Sequence, residues 1–106
     1  MLTKDDMLVA LHDAITEDQE FELAGEIVDA MEAYPQPFDL VDPVLDFISK
    51  HPEVDFGAPG ELVHFVERFY HQGYEELLME SVLKSPTVHN IWMLHRCYND
   101  NDPNLV

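Results

Sequence analysis

Cations are scarce in this 106-residue chain. Lys4, Lys50, Arg68, Lys84 and Arg96 stand against 22 Asp and Glu, and the formal charge is −17. A phosphate-binding surface needs clustered Lys and Arg, so direct nucleic-acid binding is not expected. Contact with an anionic membrane is disfavoured on the same ground. No apolar run approaches the roughly 20 residues of a spanning helix. The opening MLTKDDML lacks the apolar stretch of a signal peptide. Cys97 is the one cysteine, so no internal disulfide can form; this fits a reducing compartment, and the cytoplasm is the expected location. Four glycines build no phosphate-cradling loop.

What is abundant is the material of a core. The chain is 46% hydrophobic, with 6 Phe, 4 Tyr and 1 Trp spread along its length. A chain so acidic would stay disordered without apolar residues to offset the ordering entropy, and here they recur throughout. The length fits a single domain over residues 1–106, able to bury roughly two thirds of its unfolded surface. The charge is uneven: residues 1–56 hold 15 acids and 2 bases, a balance of −13, and residues 57–106 hold 7 and 3, a balance of −4. Two readings apply to the first half, either solvated helix faces that happen to be acid-rich or a single-sign surface that steers a partner.

Apolar spacing predicts six amphipathic helices and no strand. Thr3 and Asp6 form a capping pattern ahead of Met7, Leu8, Leu11 and Ile15, giving a helix over about 4–15. Thr16 and Gln19 repeat the pattern and predict a second helix over 17–33, ended by Tyr34-Pro35-Gln36-Pro37. Asp39 or Asp42 is the expected cap of a third over 40–50, with Pro43 in its first turn. A loop follows from Pro52 to Gly60, with Phe56 tucked inward. The fourth helix is expected at 60–72 with Gly73 as a left-handed stop, and the fifth at 74–84. Ser85-Pro86 then reads as cap and first residue of a sixth over 86–98, and the polar tail 99–106 is expected to fray. Short connections make neighbours antiparallel, so the expected all-α architecture is three helical hairpins, as a HEAT-like α-solenoid fragment or a compact bundle.

Signals of catalysis are weak. Glu61-Leu62-Val63-His64 has the spacing found in di-iron bundles, but such a site needs a second copy and two further glutamates. Glu61, His64, Arg68 and His71 are more simply a solvated ridge, and no metal or cofactor is expected. Cys97 sits near a helix C-terminus, where the dipole opposes a thiolate, so a core role fits it better than a nucleophilic one. Ser81 and Ser85 lie in no Gly-x-Ser-x-Gly elbow. Carboxylate pairs are too numerous to mark acid–base chemistry, and no enzyme is expected. Trp92 with Val88, Ile91 and Leu94 reads as a core stripe, Tyr70 and Tyr74 as a staple across the Gly73 turn, and Arg96 as a scaffold residue near a helix end.

The second half reads Gly60-Glu61-Leu62-Val63-His64-Phe65-Val66-Glu67, then Gly73-Tyr74-Glu75-Glu76-Leu77-Leu78, then Ser85-Pro86-Thr87-Val88-His89-Asn90-Ile91-Trp92-Met93-Leu94-His95-Arg96. Over about residues 60–98 this resembles small all-helical immunity proteins of bacterial contact-dependent growth inhibition and related polymorphic-toxin systems. The resemblance implies a cytoplasmic partner that binds and neutralises a cognate toxin C-terminal domain. The charge offers an independent reason. A nuclease active site is lined with Lys and Arg, and an acidic surface competes as a mimic of the nucleic-acid backbone. The candidate contact residues are Glu22, Glu26 and Asp29, spaced i, i+4, i+7 on the second helix, and Asp39, Asp42 and Asp46 along the third. Two alternatives share the same charge, an acidic DNA-mimic or anti-nuclease regulator outside any toxin pair, and a helical protein-interaction adaptor.

Overall fold

The computed structural model describes residues 3–56 and 60–100, with the side chains of 98–100 left aside. Six α-helices and one 3₁₀ helix form, and no strand among the described residues. The first helix, α1 (Lys4–Asp13), opens with the expected reciprocal cap. The Asp6 N–H donates to the Thr3 hydroxyl at 3.0 Å, and the Thr3 N–H donates to the Asp6 carboxylate at 3.1 Å. Met7 and Leu11, four apart, bury completely.

The second predicted helix is the largest departure. Residues 14–24 form a tight loop, and α2 spans only Gly25–Glu32. Thr16 does use its hydroxyl, which accepts from the Glu20 N–H at 3.1 Å, but it closes a turn instead of opening a helix. The Thr16 N–H donates to the Glu20 carbonyl at 2.9 Å, Ile15 and Phe21 face each other in an isolated bridge, and Gln19 sits at φ +61°. Two causes combine. Thr and Asp side chains compete for backbone groups outside helices, and the turn delivers Phe21 to Phe56 and Phe47, at ring separations of 5.1 and 6.1 Å. Tertiary packing overrides the helical pattern here. The Asp55 N–H donates to the Gln19 carbonyl at 2.8 Å and ties the following loop to this turn.

Neither Asp39 nor Asp42 caps the third helix. A 3₁₀ turn, Pro37–Leu40, runs directly into α3 (Val41–Lys50), and the Phe38 carbonyl accepts the Val41 N–H. The preceding turn thus satisfies a donor that a side-chain cap would have met. Helix α4 (Gly60–Glu67) ends five residues earlier than expected and gives way to an irregular turn over 68–73. Phe69 in that turn packs edge-on against Phe38 and Phe65, at 5.5 and 5.7 Å. Gly73 is left-handed as expected, at φ +114°, and a Cβ there would stand 3.0 Å from the Phe38 ring. Helix α5 (Tyr74–Lys84) has its predicted bounds.

Helix α6 (Val88–Asp100) starts two residues later than the Ser85-Pro86 reading allowed, and it continues through Asn99 and Asp100, where a tail was expected. Thr87 and Asn90 cap it. The Asn90 N–H donates to the Thr87 hydroxyl at 3.0 Å, and the Thr87 N–H donates to Asn90 Oδ1 at 2.8 Å. Asn90 Nδ2 also donates to the Ser85 carbonyl at 2.9 Å, which explains how this polar side chain is buried without penalty. The rest of the tail, 101–106, and loop residues 57–59 lie outside the described residues.

Helix α3 is the centre of the molecule. Val41, Val44, Leu45, Phe47 and Ile48 are all buried, and α3 packs against α1, the 3₁₀ turn, α4, α5 and α6. The successive pairs α1–α2, α3–α4 and α5–α6 each touch. A solenoid would confine contacts to neighbours in the stack. One helix surrounded by four others is the compact-bundle alternative, with a radius of gyration of 13.4 Å. No helix of the described residues is long and apolar enough to cross a membrane.

Candidate functional site

The six nominated carboxylates lie on three pieces of backbone. Glu22 precedes α2 in the loop, its N–H donating to the Ala14 carbonyl, so the expected three-residue ridge reduces to Glu26 and Asp29 on α2. Glu22 instead borders a shallow pocket with Ala10, Asp13, Ala14, Leu23, Ala24 and Ile27. Asp39 stands in the 3₁₀ turn, and Asp42 and Asp46 lie on the outer side of α3. All six are exposed. The side chains of Glu22, Glu26, Asp29, Asp39 and Asp42 make no hydrogen bond or ion pair among the described residues. Asp46 pairs with Lys50 at 2.8 Å, one turn along the same helix. That pair is well exposed and adds ~0.3–0.5 kcal/mol.

Asp42 and Asp46 open onto a groove of about 330 Å³ between α3 and α5. Glu80 from α5 faces them, with Ser49, Ser81 and Ser85 supplying hydroxyls and Lys50 and Lys84 placed at the helix ends. Three carboxylates and three hydroxyls suit the guanidinium or ammonium group of a partner's side chain. Glu80 was not nominated from the sequence. On α5 alone it is one of three glutamates, and only the packing of α5 on α3 brings it to the groove.

The Glu61–His71 ridge breaks up. Glu61, His64 and Arg68 edge a second groove, where Arg68 pairs with Glu32 of α2 at 3.3 Å. His71 lies beyond the helix at φ +67°, and its N–H donates to Glu75 at 2.8 Å. No group of three or more His, Cys, Asp or Glu among the described residues is placed to hold a metal ion.

Under the second half lies a continuous run of rings: Phe47, Phe56, His89 and Trp92 follow one another at 5.8, 5.2 and 5.4 Å. Arg96 closes it, 5.3 Å over the Trp92 ring and doubly bonded to Glu67 of α4 at 2.7 and 2.9 Å. His89 Nε2 is buried and makes no hydrogen bond among the described residues. Burial pushes the His89 pKa down, opposed in part by the Asp55 carboxylate. Tyr70 donates its hydroxyl to the Cys97 carbonyl and so ties the 68–73 turn to α6. Tyr74 is fully buried; desolvation first, then the nearby Cys97 and Glu67, push its pKa up. Trp92, Arg96 and buried Cys97 thus serve the scaffold, whereas Val88 and Ile91, expected in the same core stripe as Trp92, are exposed.

Comparison with known protein families, curated proteins and solved structures found no match.

Proposed function

We propose that this chain is an inhibitory binding protein of the immunity type. It neutralises a basic nuclease toxin domain by covering its phosphate-binding surface with acidic side chains. The observation that supports this reading is that five exposed carboxylates, Glu22, Glu26, Asp29, Asp39 and Asp42, are committed to no hydrogen bond or ion pair among the described residues. Their side chains hold no specific partner, although Glu26, Asp39 and Asp42 stand in the first turns of their helices, where the dipole favours a carboxylate; their charge remains available to a partner. A surface of one sign attracts a basic domain over about a Debye length, ~10 Å at 0.1 M salt. Specificity then comes from a few desolvated contacts, for which the α3–α5 groove offers Asp42 and Glu80 to an arginine or lysine.

The test is co-expression with a basic C-terminal toxin domain encoded by a neighbouring reading frame. The chain should restore growth against that domain and not against unrelated toxins. Failure to rescue, with both proteins folded and expressed, sinks the proposal. Reversal of Glu22, Glu26 and Asp29 to Lys should slow association by roughly tenfold at low salt and flatten its salt dependence. Unchanged rates would move the contact surface away from α2.

A further inference from the structure

An apolar depression lies open where α1 gives way to the loop before α2. Ala10 and Ala14 from the end of α1, Leu23 and Ala24 from the loop, and Ile27 from α2 line a shallow groove of about 240 Å³. The three alanines carry nothing beyond Cβ with which to fill it. Leu23 and Ile27 are half-buried at the margin of the core, and an occupant would complete their burial. The walls are held in place without one: the Glu22 N–H donates to the Ala14 carbonyl and the Thr16 N–H to the Glu20 carbonyl, both at 2.9 Å. The charged side chains that line the groove are Asp13 and Glu22, both exposed and neither engaged in a hydrogen bond or ion pair among the described residues. The other grooves carry cations of their own. Lys50, paired with Asp46, and Lys84 border the one between α3 and α5, and Arg68, paired with Glu32, borders the one between α2 and α4. Asp13 also stands in the last turn of α1, where the helix dipole disfavours a carboxylate, and it does not cap α2, whose start has no side-chain cap.

We propose that this groove seats an apolar side chain of a basic amphipathic segment on the partner, flanked there by lysines or arginines that reach Asp13 and Glu22. The inference deepens the toxin-binding reading and rests on it for the identity of the partner, while the groove itself can be tested without a toxin. Charge complementarity selects the occupant. An acidic segment is repelled by a chain of charge −17, and an uncharged one leaves both carboxylates unanswered. A second copy of the chain is a poor occupant, because three of its five cations, Lys50, Arg68 and Arg96, are already held by its own acids. A segment with an apolar ridge between cations meets both demands: it covers Leu23 and Ile27, and it neutralises two acids that nothing else engages.

The test is a nuclear magnetic resonance titration of the full, nitrogen-labelled chain with short synthetic helical peptides at about 0.05 M NaCl. The probe carries leucines along one face with lysines beside them. One control replaces the leucines by serine, the other the lysines by glutamate. The probe should move the amide signals of Ala10, Asp13, Ala14 and the run from Glu22 to Ile27. The serine control should bind roughly tenfold more weakly, and the glutamate control not at all. Ala24 is exposed, so Ala24→Trp, which fills the groove, and Ala24→Arg, which places a cation in it, should keep the helical circular dichroism. Each should weaken the probe roughly tenfold. Asp13→Asn with Glu22→Gln should weaken it about fivefold, and less at about 0.5 M NaCl. Glu53→Gln with Glu76→Gln removes the same charge from exposed positions elsewhere and should leave the affinity within about twofold. Signals that move elsewhere, a serine control that binds equally, Ala24 variants that bind as the wild type does, or equal losses in the two double variants overturn the proposal. Co-expression separates it from the toxin reading. Full rescue by the Ala24→Trp chain strikes the groove and leaves the immunity reading standing, whereas a probe seated in the groove without any rescue does the reverse.

Discussion

Removing Arg96 tests how the Trp92 end of the ring network is held. Its Nε and Nη2 donate to both oxygens of Glu67 at 2.7 and 2.9 Å, a fork-to-fork geometry that lysine cannot reproduce. The side chains keep 29% and 17% exposure, so the pair is mostly shielded but not dry. Hydrogen bonds to charged groups contribute about 1.5–3 kcal/mol. The residual exposure of Arg96 favours the lower half of that range, and its place over Trp92 adds ~0.5–1 kcal/mol. Arg96→Ala should therefore cost about 2–3 kcal/mol, including the penalty of leaving Glu67 shielded without its partner. Glu67→Gln keeps one acceptor and should cost about 1–2 kcal/mol. Urea unfolding of both single variants and the double variant, followed by far-ultraviolet circular dichroism, gives the coupling energy. We expect a coupling of about 1.5 kcal/mol. A value under about 0.5 kcal/mol would place the pair among ordinary surface ion pairs and refute the assignment of Arg96 to the scaffold.

Two further predictions follow from polar groups inside the second half. Asn90→Ala removes the reciprocal cap with Thr87 and the tie to the Ser85 carbonyl, and should lower stability by about 2 kcal/mol in the same urea assay; a loss under ~0.5 kcal/mol would mean the cap is not needed. For His89 the folded pKa lies below the unfolded 6.5, so between these values the unfolded state binds more protons. Its contribution is present above pH 6.5 and is lost as the pH falls through the folded value. The stability difference between wild type and His89→Gln should thus shift against the wild type on acidification below pH 6.5, and a pH-independent difference contradicts the burial argument.

Helices with strong local signals were legible and those set by distant contacts were not. Thr3 and Asp6 cap α1 as the sequence implies, and α5 runs from Tyr74 to Lys84 because Gly73 starts it and Ser85 ends it, both local features. The same Thr-x-x pattern at Thr16 misled, since its hydroxyl serves a turn whose purpose is to seat Phe21 against Phe47 and Phe56, residues 26 and 35 positions later. No window around Thr16 contains that information. The cap of α6 was legible in principle: Thr87 and Asn90 have capping spacing, but Pro86 at a favoured first-turn position drew the boundary two residues early. The acids were legible one by one, while the groove was not, because Asp42 and Glu80 meet only through the packing of α5 on α3.

The amount of charge bears on whether the acids are there for solvation alone. A small domain stays soluble with a net charge of about 2–8 in magnitude, and −17 is well beyond that. Further like charge adds self-repulsion, which a core built around α3 has to offset. Interspersed lysines would relieve the repulsion without loss of solubility, yet residues 1–56 contain only Lys4 and Lys50 beside 15 acids. On its own the chain uses few of these acids, among them Asp6 in the α1 cap, Glu32 with Arg68 and Asp46 with Lys50. A basic partner removes the cost on contact, because each lysine or arginine it brings near Glu26, Asp29 or Asp42 cancels repulsion within the chain as well as forming an attraction across the interface. Under the proposed reading, charge that is a burden to the free protein is stabilising in such a complex, which is a use for the acids that solvation does not give.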